Sequence, residues 1–238
     1  MRGIILAGGT GSRLGVLTAN GVNKHVLDVG GRPMIIYPLC TLLASGVTDI
    51  TVVSTPSGVG QIELILKSGK GNGCRIEYRV QDNPGGIAHA LLCAKRDSGE
   101  TIAVILGDNV FAAPPMISPA EKWAHCYLKK IDDVSELRQF GVPVFAGEKI
   151  AALEEKPQNP KSNYAVTGLY VFGHGVWDEL AKAKPGARGE LEITDLLDWY
   201  ARAGLLSHTF VEGFWGDAGT HEGIAECSAA VRAFKGES

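Results

Sequence analysis

The chain has 238 residues, 45% of them hydrophobic and 21% charged. That is globular balance, enough for one large α/β domain or one domain with a small annex, and it argues against disorder. A formal net charge of −3 argues against a nucleic-acid binder, although a small anion can still bind where local charge favours it. Five cysteines without a C-x-x-C pair argue against a disulfide framework or a zinc cluster and fit a reducing compartment.

Ile4–Ala7 reads as a buried strand. It breaks into Gly8-Gly-Thr-Gly-Ser-Arg13, with Lys24 further on. Glycines let backbone N–H groups turn toward an anion, and Arg13 and Lys24 add fixed positive charge, so this is a candidate phosphate site. No Walker A string occurs, and the dinucleotide fingerprint fails where Leu14 stands in place of the third glycine. A plain glycine-rich turn is the alternative.

Pro33–Ala44 is the first expected helix, opened by Pro33 and closed near Gly46, with Pro38 predicting a kink or a broken first turn. Strands follow at Ile50–Ser54, Ile76–Val80 and Thr101–Leu106, separated by helices around Gln61–Lys67 and Gly86–Lys95. Continuous apolar strands between helices predict a parallel sheet covered on both sides. Trp123–Lys130, Gly141–Phe145, Lys149–Glu155 and Tyr164–Phe172 read as strands with little helix between them, hence as antiparallel additions to the same sheet. Helices at Val176–Ala183 and Glu192–Ala203, a strand at Leu205–Val211 and a closing helix at Thr220–Phe234 complete the chain. The expected fold is α/β: a doubly wound, Rossmann-like, mixed but mainly parallel sheet with helices on both faces, in one domain over 1–238. No apolar run reaches membrane-span length and the N-terminus lacks a leader layout, so a cytoplasmic protein is expected.

Ligands of such sheets bind beyond the carboxyl ends of the parallel strands. The glycine loop, Gln81-Asp-Asn-Pro-Gly-Gly86 and Gly107-Asp108-Asn109 all fall there. Asp108 either holds a hard cation against phosphate oxygens or caps a turn. Asp217, in a glycine-flanked turn before the last helix, is a second such carboxylate, although it or Thr220 would also serve as a helix cap. Together the two aspartates and the glycine, arginine and lysine loop point to a magnesium–phosphate centre. Lys156, before a proline, and Arg188, before a glycine, are further places to hold a cation for an anionic ligand.

The strings GIILAGGTGSRL, NK, VQDNPGGIAHA, LGDN, EEKPQNPKSNYAVTGLY, ARGELEITD and DAGT occur in this order. The set resembles the sugar-1-phosphate nucleotidylyltransferases, their glucose-1-phosphate thymidylyltransferase branch most of all, from Met1 to about residue 225. The resemblance implies the nucleotide-diphospho-sugar transferase fold, with a nucleotide-binding half (1–112) and a sugar-phosphate-binding half (113–238). It implies that dTTP or UTP and glucose 1-phosphate give dTDP-glucose or UDP-glucose and pyrophosphate, with Mg2+. Gly8, Gly9, Thr10, Gly11 and Ser12 would cradle the triphosphate, and Arg13 would hold the departing pyrophosphate. Lys24 would neutralise charge at the reacting phosphate. Gln81 and Gly86 would meet the pyrimidine edge, and Asp108 and Asp217 would hold the metal. Gly141, Glu155 and Val166 would line the sugar pocket, with Lys156 and Arg188 on the sugar phosphate.

His25, Asp28 and His89 depart from the residues usual in the family, a glutamine, a proline and a glutamine. They leave the base and the acceptor sugar open. Mannose or N-acetylhexosamine 1-phosphate is the alternative acceptor. A catalytically inactive sugar-nucleotide-binding module or a glycosyltransferase is the alternative class, although Gly107-Asp108-Asn109-Val110 lacks the Asp-x-Asp motif of the latter. Longer thymidylyltransferases carry further C-terminal helices with a regulatory site, so weaker feedback inhibition is expected here. Partners are expected to be the two small substrates, with no nucleic acid and no membrane; a homo-oligomer is compatible with the sequence.

Overall fold

The computed structural model describes residues 1–9, 11–83, 85–96, 99–119, 123–182 and 192–236. Strand β1 (Arg2–Ala7) leads through 3-10 turns at Ser12–Leu17 and Lys24–Val26 to a small hairpin, β2 (Asp28–Val29) and β3 (Arg32–Pro33). Then come α1 (Ile36–Ala44), β4 (Asp49–Ser54), α2 (Pro56–Leu66), β5 (Arg75–Val80), α3 (Ile87–Cys93), β6 (Ile102–Leu106) and β7 (Asn109–Phe111). The remainder is β8 (Ala124–Lys130), β9 (Gly141–Ala146), β10 (Lys149–Glu155), β11 (Tyr164–Phe172), α4 (Val176–Lys182), α5 (Ile193–Arg202), β12 (Leu206–Phe210), β13 (Trp215–Asp217) and α6 (His221–Lys235).

A seven-stranded sheet in the order β12-β8-β11-β6-β1-β4-β5 forms the centre. Its strands pair in parallel except β11, which runs against both β6 and β8. This is the expected mixed, mainly parallel sheet. Alternation along β1 shows why both faces must be covered. Ile4 and Leu6 enter the core shared with α3, α4 and α5, while Ile5 and Ala7 enter the core shared with α1 and α2. A third, smaller core joins Val29, Met34 and Val110 to Cys227 and Val231 of α6.

Three expectations need correction. Strands β9 and β10 do not extend the central sheet; they form their own antiparallel hairpin, which packs on α5. Helix α1 starts at Ile36 rather than at Pro33, which lies in β3. Pro38 therefore sits in the first turn, where a missing N–H has no intrahelical partner to lose, and neither kink nor break is needed. Helix α2 begins at Pro56, five residues before the expected start, because Thr55 caps it: its side chain accepts from Gly58 N at 3.1 Å.

Two three-residue strands that the periodicity missed matter most for the site. β7 and β13 pair antiparallel with Asp217 opposite Asn109, and Ala218 N donates to the Asp108 carbonyl at 2.9 Å. This ribbon brings the chain's end back to the carboxyl edge of β6.

Candidate active site

A cleft of about 600 Å3 opens over the carboxyl ends of β1, β5 and β6. Gly8, Gly9, Arg13, Lys24, Gln81, Gly86, Asp108, Gly141, Glu155, Lys156, Val166 and Asp217 all line it. Gly11 and Ser12 do not; Gly11 lies under the loop, beside Thr18 and the Lys24 stem. Thr10 and Arg188 lie outside the described residues, with most of the ARGELEITD string. The sequence reading also missed lining residues, among them His25, Asn109, Tyr170, Thr194 and Trp215. Asn109, Tyr170 and Thr194 stand inside the strings that carry the resemblance and Trp215 lies beside one, so their position was a usable signal.

The glycine loop works by close approach. A β-carbon on Gly9 would stand 3.1 Å from Lys24 Cε and 3.3 Å from its Nζ. The bare backbone lets the lysine pass beneath it. The buried ammonium then meets Asp108 Oδ2 at 2.5 Å. Burial alone would raise the Asp108 carboxyl, but the Lys24 charge, with His25 and hydrogen bonds from Lys24 and Asn109, holds it well below the ordinary carboxylate range.

Asp217 lies in the opposite situation. Burial, then the nearby Asp108 charge, pushes its carboxyl up to about 6, against smaller pulls from Lys24, the Gly219 N–H and Arg13. It is not the cap of α6: Thr220 is, accepting from Gly223 N at 3.0 Å. Asp217 Oδ1 instead accepts from Gly219 N at 2.7 Å. A β-carbon on Gly219 would lie 2.7 Å from Asp217 Oδ1, 2.9 Å from Arg13 Nη2 and 3.4 Å from Asp108 Oδ2. The space that glycine leaves is where both carboxylates and the arginine converge.

That cradle fits a divalent cation. Two carboxylates held close raise each other's proton affinity, a cost that a cation between them removes. No group of three His, Cys, Asp or Glu suited to a metal occurs among the described residues. Magnesium asks for no more than two carboxylates when phosphate oxygens and water complete its shell.

Asn109 braces this corner. Its Oδ1 accepts from Gly168 N at 2.8 Å and from Trp215 Nε1 at 2.7 Å, and its Nδ2 donates to Asp108 Oδ1 at 3.3 Å. His25 is wholly buried beside Lys24; its Nδ1 donates to Asn23 Oδ1 at 2.8 Å. Burial and the Lys24 charge push its imidazole down to about 3, so the ring is neutral at pH 7.

The far wall comes from the second half of the chain. Thr194 Oγ1 donates to Glu155 Oε2 at 2.6 Å, and Lys156 Nζ lies 3.4 Å from Glu155 Oε1. Lys156 has φ of 47°, left-handed backbone that lysine rarely adopts. Strain of this kind gathers where a side chain must be aimed.

Residues 2–233 match the nucleotidyl transferase family. The chain is 38% identical over 239 residues to a glucose-1-phosphate thymidylyltransferase of Neisseria meningitidis, covering 98% of this chain and 83% of that one. It is 40% identical over 238 residues to the enzyme of the same name from Mycolicibacterium smegmatis, covering 98% and 82%. A candidate glucose-1-phosphate thymidylyltransferase from Bacillus anthracis, solved with sucrose, superposes with a TM-score of 0.89 at 42% identity, covering 98% of this chain and 95% of that one. A UDP-glucose pyrophosphorylase solved with UDP-glucose shares the fold, with a TM-score of 0.80 at 22% identity over 98% of each chain. The glycine loop, the paired aspartates and the facing wall on a mainly parallel sheet agree with these matches, and the chain belongs to the nucleotidyl transferase family.

Proposed function

We propose that this protein transfers the nucleotidyl group of dTTP to glucose 1-phosphate, giving dTDP-glucose and pyrophosphate. UTP would substitute, since a pocket that reads one pyrimidine edge discriminates a single methyl group only modestly. One observation carries the reading: Lys24, Arg13, Asp108 and Asp217 converge beneath the glycine loop.

The sugar phosphate is already ionised and needs no strong general base. Its oxygen attacks the α-phosphorus while pyrophosphate leaves in line, so the protein's task is positioning and charge compensation. Residues 1–112 would form the nucleotide half: Gly8 and Gly9 cradle the triphosphate, Gln81 and Gly86 meet the base, and Arg13 holds the departing pyrophosphate. Lys24 would turn from Asp108 toward the reacting phosphate. Residues 113–238 would form the sugar-phosphate half, with Gly141, Glu155 and Val166 around the hexose and Lys156 on its phosphate. Asp108 and Asp217 would hold magnesium, whose double positive charge offsets the repulsion between the two polyanions. The roles of Thr10 in the cradle and Arg188 on the phosphate follow from the resemblance.

The described residues contain no helix long and apolar enough to cross a membrane. We place the enzyme in the cytoplasm, where both substrates are made. The test is direct: incubate the protein with magnesium, each nucleoside triphosphate and a panel of sugar 1-phosphates, and follow pyrophosphate. dTTP with glucose 1-phosphate should be the best pair. Pyrophosphate from no pair at all would overturn the reading and leave a sugar-nucleotide-binding module; a better hexose phosphate would correct the acceptor.

A further inference from the structure

Gln81 and His89 form a pair on the cleft wall beside the glycine loop. Gln81 follows β5 directly and is 5% exposed. Its carboxamide nitrogen has both hydrogens in use: Nε2 donates to the Gly86 carbonyl at 3.3 Å and to His89 Nδ1 at 3.0 Å. A carbonyl can only accept, so Gly86 sets the direction of the amide. The nitrogen faces α3 and the oxygen faces the loop. There Oε1 sits 2.4 Å from where a β-carbon on Gly8 would stand. Oε1 accepts no hydrogen bond among the described residues. His89, in the first turn of α3, rests against Gly85; a side chain there would meet its Nδ1 at 2.8 Å. An imidazole nitrogen that accepts carries no proton, so the His89 proton is on Nε2.

We propose that His89 is a positioning residue that determines base specificity: it locks the Gln81 carboxamide so that a bare acceptor, Oε1, faces the nucleobase. This rests on the reading of Gln81 as the base contact. An acceptor at this place suits a base edge that donates an N–H, as N3 of thymine and uracil does. It opposes cytosine, whose N3 is a lone pair. Without His89 the amide nitrogen keeps one acceptor in place of two. A half-turn that points N–H groups at the base then becomes accessible, and the preference weakens.

Equilibrium binding of dTTP, UTP and CTP to the full chain, with magnesium, tests this by calorimetry. Wild type should favour dTTP and UTP over CTP. H89F keeps a ring on Gly85 but has no acceptor, and the dTTP-to-CTP preference should fall at least about fivefold, the worth of one neutral hydrogen bond. H89L is the second acceptor-free variant should the larger ring disturb folding. H89Q, whose side-chain oxygen can accept the same N–H, should restore the preference. A merely structural histidine would weaken all three nucleotides alike. That outcome, a wild type without preference, or acceptor-free variants that keep the wild-type ratio would overturn the proposal. Pyrophosphate release by wild type from dTTP and glucose 1-phosphate is followed in parallel. Its failure would sink the proposed reaction, whereas the binding ratios alone decide the role of His89.

Discussion

Replacing Asp217 with asparagine should stabilise the empty protein at neutral pH while stopping turnover. Burial and Asp108 hold the Asp217 carboxyl up at about 6 rather than 3.8. The folded protein therefore binds this proton more tightly than the unfolded chain does, and stability falls as pH rises from about 4 to about 6. A shift of about two pH units at about 1.4 kcal/mol each is roughly 3 kcal/mol of native-state penalty above pH 6. Asparagine removes it, keeps an oxygen for the Gly219 N–H, and gives up the weaker attractions of Lys24 and Arg13. A net gain of about 2 kcal/mol remains, which in a chain of this size is a melting temperature higher by roughly 4–8 °C. The assay is thermal unfolding of D217N and wild type in chelator at pH 7.5 and at pH 4. The gain should be present at pH 7.5 and mostly gone at pH 4, where the folded carboxyl is protonated and the unfolded one is only a little over half ionised. A D217N protein no more stable than wild type at pH 7.5, or a gain equally large at pH 4, would refute the reasoning.

Three further substitutions have defined outcomes. Lys24→Met leaves Asp108 buried without its cation and should cost about 3–5 kcal/mol of stability; turnover should fall about a hundredfold, as for the loss of one charge-stabilising contact, and full activity in steady-state assays would refute its role. Asn109→Leu strands the Gly168 and Trp215 N–H groups, so unfolding in urea should show a loss of about 1–3 kcal/mol for each, with an unchanged midpoint counting against the brace. Gly8→Ala puts a carbon where Gln81 Oε1 sits, and nucleotide affinity by calorimetry should drop at least about fivefold; wild-type affinity would mean that Gln81 moves away freely.

The sheet was legible because Ile4–Ala7, β6 and most of β4 are apolar on both faces, a pattern that few other arrangements tolerate, with only the buried Arg2, Thr51 and Ser54 interrupting it. Asp108 and Asp217 were legible because short polar breaks beside glycines at strand ends have few structural uses, and Lys24 because it follows the glycine loop in the same order as in the family that the sequence resembles. The ribbon of β7 and β13 was not, since three residues carry no measurable period and the pairing partner lies across the chain. The hairpin of β9 and β10 reads like any pair of strands; only packing against α5 decides that it leaves the main sheet. In the sequence His25 and His89 stand only as departures from the family's usual glutamines. Their meaning lies in Asn23 and Gln81, whose contacts the order of residues does not display.

The β7–β13 ribbon also dictates when the molecule becomes competent. Trp215 and Asn109 stand 106 residues apart, and loop closure over such a span comes late in assembly. During synthesis the four neighbouring strands of the amino-terminal half can pair as they emerge, yet Asp108 waits for a partner carboxylate that the ribosome delivers about a hundred residues later. Recovery of catalysis on refolding should therefore trail the return of sheet signal, and a nascent chain stalled before Trp215 has the glycine loop but only one of the two facing aspartates.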